Sequence, residues 1–233
     1  PCHNYKHAPV VKTIREIIAS GKIGKVRSLT LNTYRNTHAK GVTEWKTDWR
    51  REKKYSGGGI AMDHGSHTFY LTFDWMGCYP TAVTAKMANL TPNKHDTEDG
   101  FTAVLSFPNG TAHAHLTWTA GVRKVIYTVQ GERGAITVDD DDLQLAVMRS
   151  TGGPDVAQGA VTWDVEKRSI ASDWMDASHV GWFNSMFDLF VKAIQEGDFV
   201  GKEAREAYLC IQLIATAYRS AQEGCRELPL ATQ

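Results

Sequence analysis

The 233-residue chain contains no GxGxxG turn and no GxxxxGK[ST] loop. From spacing alone it therefore binds no nucleotide by a familiar glycine-rich phosphate cradle. CxxC pairs are missing too. The four cysteines, Cys2, Cys78, Cys210 and Cys225, lie far apart, which argues against a structural zinc site and a disulfide scaffold. Reduced thiols in a cytoplasmic protein are the expectation. No apolar run reaches membrane-spanning length, and there is no signal-like start. Acidic and basic residues balance at 26 each, so nothing points to nucleic acid or a membrane as partner. Repeats and low-complexity segments are also lacking. Residue 1 is Pro, and the expectation is that the natural start lies upstream.

What is present suits an ordinary globular chain: 42% hydrophobic and 22% charged residues, long enough to bury a core as one domain over 1–233. Val10, Val11, Ile14, Ile17 and Ile18 recur at helical spacing between Pro9 and Gly21, residues suited to a helix start and stop. VRSLTLNTYR reads as a strand. Residues 36–58 are irregular and carry Trp45 and Trp49, the profile of a functional loop. Arg50-Arg51-Glu52-Lys53-Lys54 within it reads as solvated. A helix is predicted from about Ser66 to Met76. Strands follow at PTAVTAKMANL, FTAVLSF, TAHAHLTW, RKVIYTVQ, GAITVDD, DLQLAVM and AVTWDVE, with turns at Pro108-Asn109-Gly110 and from Gly131 to Gly134. A Gly/Pro-rich break covers 152–159. Two closing helices are predicted at about Val180–Glu196 and Lys202–Glu223, the first with Trp182, Phe183, Met186, Phe187, Phe190 and Ile194 on its apolar side. Strands joined by tight turns mean a largely antiparallel sheet. The fold class is α+β: a large open, predominantly antiparallel sheet with helices packed on one face.

GGGIAMDHGSHTFYL, residues 57–71, holds the most concentrated chemistry. Glycines 57–59 permit positive φ or close approach of backbone to a ligand. In a helix begun near Met62, Asp63 and His67 share a face, and His64 lies near it. Three readings follow. Asp63 orients an acid/base imidazole at His67, kept neutral by the positive end of the helix. Or Asp63 caps the helix and His67 is a satisfied buried side chain. Or Asp63, His64 and His67 ligate a metal, a weak pattern without an HExxH glutamate. His113 and His115 share a sheet face, and Asp139 to Asp142 reads as a solvated turn.

HNYKHAPVVKTIREIIASGKIGKVRSL, DWRREKKYSGGGIAMDHGSH and GWFNSMFDLFVKAIQEG together resemble the second domain of the Gfo/Idh/MocA oxidoreductases, the glucose–fructose oxidoreductase and inositol dehydrogenase group. The likeness runs from His3 to about Pro229, and GGGxxxDxGxH is its most specific element. In that family a Rossmann domain holds NAD or NADP, and an α+β domain supplies the substrate pocket and oligomer contacts. The resemblance implies that this chain is the second domain only, because the cofactor glycines and the lysine-bearing "EKP" motif are absent. It also implies Asp63 and His67 as catalytic residues, with His67 the acid/base. Tyr5, Lys6, Arg35, Trp49, Arg50, His64 and His179 are the further candidates for substrate contact, the indole and guanidinium suiting a polyhydroxylated ring.

The resulting expectation is the substrate and oligomerisation domain of an NAD(P)-dependent oxidoreductase acting on a sugar, cyclitol or related polyol, inactive in isolation and homo-oligomeric through its open sheet. No metal is expected. The alternatives are a stand-alone carbohydrate-binding or assembly module without redox function, and a metal-dependent lyase or isomerase.

Overall fold

The structure, a computed structural model, describes residues 2–91, 94–149, 162–172, 174 and 179–230. A short 3-10 turn over Asn4–His7 leads into helix α1 (Pro9–Ala19), which buries Val10, Val11, Ile14 and Ile17 as the spacing predicts. One of the orphan N–H groups at the start of α1 is met from afar: Val10 N–H donates to Ser172 Oγ at 3.1 Å. Strand β1 (Val26–Tyr34) follows. The loop after it contains a 3-10 turn, Trp49–Arg51, and a single helical turn, α2 (Lys53–Ser56).

Helix α3 (Ile60–Met76) begins six residues earlier than Ser66, the start predicted from sequence. Its first turn is held by Glu98, which lies in a distant loop. The Glu98 carboxylate accepts N–H bonds from Gly59 at 2.8 Å and Ala61 at 3.0 Å, and its backbone C=O accepts one from Ile60 at 3.1 Å. Tyr218 Oη donates to the same carboxylate at 2.8 Å. The glycines are explained by this packing. A Cβ at Gly59 would lie 1.8 Å from the Glu98 carbonyl oxygen, and one at Gly58 would lie 1.9 Å from Tyr218 Oη. The close approach foreseen for a ligand is made by the protein itself.

Strands β2 (Ala82–Ala88), β3 (Gly100–Phe107), β4 (Gly110–Thr117), β5 (Lys124–Gly131), β6 (Gly134–Asp139), β7 (Asp142–Met148) and β8 (Trp163–Ser169) come next. Then come helices α4 (Val180–Glu196) and α5 (Lys202–Gln222) and the short strand β9 (Leu228–Pro229). The predicted break at 152–159 and residues 160 and 161 of the predicted last strand lie outside the described residues. The strands form one nine-stranded sheet in the order β8-β7-β6-β5-β1-β4-β3-β2-β9. All pairings are antiparallel except β1 with β4.

Helices α1, α3 and α5 cover one face, burying Leu29, Leu31, Leu105, Leu116 and Val129 from the strands against Phe69, Trp75 and Leu213. The other face carries half-exposed Thr30, Asn32 and Thr128 and exposed His113 and His115. Helix α4 matches its predicted bounds, but its apolar side is left largely uncovered by the described residues: Trp182 is buried, whereas Phe187 is 61% and Phe190 60% exposed. No helix of the described residues is long and apolar enough to cross a membrane.

Candidate functional site

The chain entering α1, the early turns of α3 and the ends of β1 and β5 meet around the Tyr5 ring. Tyr5 is buried. It stacks on His67 with centroids 4.4 Å apart and meets His64 edge-on at 5.5 Å. Trp174, Trp182 and His179 enclose its remaining edges at 5.7, 5.3 and 6.3 Å. His179 stacks flat on Trp182 at 3.8 Å. Arg35, just past the end of β1, donates from Nη2 to Tyr5 Oη at 3.3 Å. Five of the nine candidates, Tyr5, Arg35, His64, His67 and His179, are thus gathered in one packed cluster.

His67 does not bond to Asp63. Its Nδ1 lies 2.8 Å from Tyr70 Oη, three residues on along the same helix face. Tyr70 Oη in turn accepts the Tyr5 N–H at 3.1 Å. Burial and this bond keep the ring orientation fixed. In the tautomer whose Nδ1–H donates to Tyr70 Oη, the other nitrogen, Nε2, is a proton acceptor. Burial, with His3, Arg35 and His179 adding to it, lowers the His67 pKa to about 4. His64 is lowered well below its ordinary value by burial, then by His67, Arg35 and Arg123. Both imidazoles are therefore neutral at physiological pH, the state a general base needs. Burial holds the Tyr70 phenol well above its ordinary value, so it stays protonated.

Asp63 belongs to a neighbouring group. Arg50 Nε donates to its Oδ1 at 2.7 Å, and the Arg50 guanidinium lies 4.3 Å over the Trp49 ring. Trp49, Arg50 and Asp63 form one stacked unit beside the pocket, with Asp63 adjoining His64 in sequence.

Lys6 turns away from Tyr5. Its Nζ bonds Glu203 Oε1 at 2.9 Å and the buried Glu206 Oε2 on α5. His3 joins them, Nδ1 to Glu203 Oε2 at 2.5 Å. These two acids and His3 are the one group of potential metal-ligand side chains among the described residues, and the Lys6 ammonium already sits on both carboxylates. Asp63, His64 and His67 do not converge in that way.

Four contributors were not singled out from sequence. Tyr70 was within reach of helix periodicity, at i+3 from His67. Glu98, Arg123 and Trp174 were not, because each arrives through pairing between distant segments.

Comparison with known proteins adds the following. The family profile described as "GFO/IDH/MocA C-terminal domain" matches residues 11–137. YteT of Bacillus subtilis (strain 168), named as an oxidoreductase, is 38% identical over 82 residues, 35% of this chain and 18% of that protein. YdgJ of Escherichia coli (strain K12), named an uncharacterized oxidoreductase, is 29% identical over 133 residues, 57% of this chain and 36% of that one. Among solved structures, levoglucosan dehydrogenase in complex with NADH superposes with a TM-score of 0.79 at 18% identity, over 100% of this chain and 66% of that one. The chain thus spans about two thirds of the dehydrogenase whose fold it shares.

Proposed function

The chain belongs to the GFO/IDH/MocA family, whose C-terminal domain it carries, and from that premise we propose that it is the substrate-binding and assembly domain of an NAD(P)-dependent oxidoreductase acting on a sugar, cyclitol or related polyol. The observation that carries this reading is the neutral His67, bonded to Tyr70 and stacked within an aromatic cluster. In this role His67 Nε2 takes the proton of the hydroxyl being oxidised, Tyr70 holds the imidazole in place, and the Trp174 and Trp182 side of the pocket excludes water. Asp63, fixed by Arg50, presents its remaining oxygen toward substrate hydroxyls. A dinucleotide fits this chain poorly: the sheet is almost wholly antiparallel and no described strand runs into a helix through a glycine-rich turn. Cofactor binding is therefore assigned to a separate dinucleotide-binding domain, whose nicotinamide accepts the hydride.

The apolar side of α4 supports the same division. Phe187, Leu189, Phe190 and Ile194 are each more than half exposed, a surface suited to a covering domain. The open sheet face is proposed to pair with a second copy.

Assays of the chain with polyols and NAD or NADP test the half-site reading: the chain binds sugar or polyol but does not turn it over. Reproducible turnover by this chain alone would overturn it. Sedimentation checks the assembly, and a monomer at micromolar concentration would count against pairing through the sheet. Reading the codons upstream of Pro1 separates the oxidoreductase from a stand-alone binding module, since only the former carries an open frame with GxGxxG and a following EKP.

A further inference from the structure

The uncovered face of the sheet carries two imidazoles near its middle. His113 and His115 are both exposed and lie two residues apart on β4, the strand beside the central strand β1. Buried Ala112, Ala114 and Leu116 alternate with them and face the helices, so both histidines point away from the core. Strand pairing fixes their neighbours. Thr30 of β1 and Val104 of β3 lie opposite His113, and Asn32 and Thr102 lie opposite His115. The Tyr34 ring meets His115 edge-on at 5.5 Å. None of these neighbours is a carboxylate, an ammonium or a guanidinium. Lys86 stands two strands from His115, opposite Thr102, and Asp139 stands three strands away on the other side, opposite Ile126. Those separations are about 10 Å and about 14 Å. Asp139 has its own balancing ammonium in Lys124, which lies opposite Tyr34. Asp142 and Lys167 are further out, on β7 and β8.

The face has the size and the character that a second copy needs. Strands β1 to β8, at about 4.8 Å spacing and about 3.3 Å per residue, make a footprint of about 800 Å². That is one partner's share of a standard interface. At the outer edge Met148, Trp163 and Val165 alternate onto the same face and are 42%, 54% and 55% exposed, apolar area that pairing covers. The middle holds Thr30, Asn32, Thr102, Thr128 and Thr137, neutral groups that a twofold operation sets against themselves without repulsion. Sheets packed face to face lie about 10 Å apart. An axis passing near β1 therefore brings the imidazoles of both copies within about one or two strand spacings of each other.

We infer that pairing of two copies through this face is gated by pH: the copies associate while His113 and His115 are neutral and separate when these rings are protonated. An imidazole takes up its proton between about pH 7 and 5.5. In a single copy the new charge faces water. In the pair it is drawn out of water beside three like charges, and that is costly. The neutral rings instead exchange hydrogen bonds with hydroxyl and amide groups of the facing sheet. The separated copies thus bind protons that the pair refuses, so association weakens as pH falls. The inference rests on the proposed pairing through the sheet and adds to it the control of that pairing.

Sedimentation velocity of the chain at pH 7.5 and 5.5 tests it, with circular dichroism checking that the fold is the same at both. A dimer at micromolar concentration is expected at pH 7.5, with a dissociation constant at least about a hundredfold higher at pH 5.5, the scale of two or more protons excluded from the pair. His113→Gln/His115→Gln is expected to remain dimeric at both. His113→Lys/His115→Lys, which carries the charge permanently, is expected to be monomeric at both, and it reads the effect at pH 7.5 even if acid unfolds the chain. A parent dimer equally tight at both pH values overturns the inference and leaves the sheet pairing standing. So does a Gln variant that separates in acid as the parent does, and so does a Lys variant that stays dimeric at pH 7.5. A parent that is monomeric at pH 7.5 overturns the inference and the sheet pairing together.

Discussion

Replacing His67 by Gln reads the electrostatics of the pocket without any substrate. The imidazole pKa is about 4 in the folded chain, against an ordinary value of 6.5. Burial is the main cause; His3, Arg35 and His179 add to it, and the His64 ring lies 5.3 Å away. Above about pH 6.5 the ring is neutral in both folded and unfolded chains and contributes no pH dependence. Between pH 6.5 and 4 the unfolded chain binds a proton that the folded chain refuses, so stability falls as pH falls. At about 1.4 kcal/mol for each tenfold, the whole displacement corresponds to at most about 3.5 kcal/mol. The ring is partly accessible, so about 2 kcal/mol is the expected size by pH 4.5. His67→Gln removes the titration and keeps a side chain able to bond Tyr70. Urea unfolding of both proteins at pH 7.5, 6.5, 5.5 and 4.5 measures the difference. The parent is expected to lose about 2 kcal/mol more than the variant across that range. Parallel stability curves would refute the claim that His67 is held neutral by its surroundings.

Three further outcomes follow from the same packing. Glu98→Ala is expected to cost about 2–3 kcal/mol in thermal or urea unfolding, because it strips two N–H groups at the start of α3 and the Tyr218 hydroxyl of their acceptor; a loss below about 0.5 kcal/mol would contradict the capping role. Lys6→Met removes the buried one of the two ammonium partners of the fully buried Glu206, leaving the exposed Lys202 at 3.3 Å from its other oxygen, and is expected to cost about 2–3 kcal/mol, with Lys6→Met/Glu206→Met recovering most of it; equal losses in single and double variants would show that the pair is not coupled. Phe187→Asp on the exposed side of α4 is expected to change the chain's own melting by less than about 0.5 kcal/mol while weakening its association with a dinucleotide-binding domain in a pull-down; undiminished association would remove α4 from that interface.

The division between what was legible in the sequence and what was not follows sequence separation. Periodicity within one element was enough for α1, for the alternation of β1 and for the shared face of Asp63 and His67, since those facts depend on residues within one or two turns of each other. The same rule places Tyr70 beside His67, at i+3. Periodicity names neighbours, however, and does not choose among polar partners. Asp63 had an imidazole one turn away, yet it pairs with Arg50, thirteen positions earlier, because the 36–58 loop folds back over α3. The glycine run shows the same thing from the backbone side. Its need for small residues was evident, but the group pressing against it is Glu98, some forty residues downstream. Arg123 is the extreme case. Its position opposite Arg35 exists only because β5 pairs with β1 across β2, β3 and β4 of the chain order, a choice made by the global sheet. The proposed base, His67, is thus legible locally, and the charges around it are not. A reader of sequence alone would find His67 and miss the side chains that the sheet brings around it.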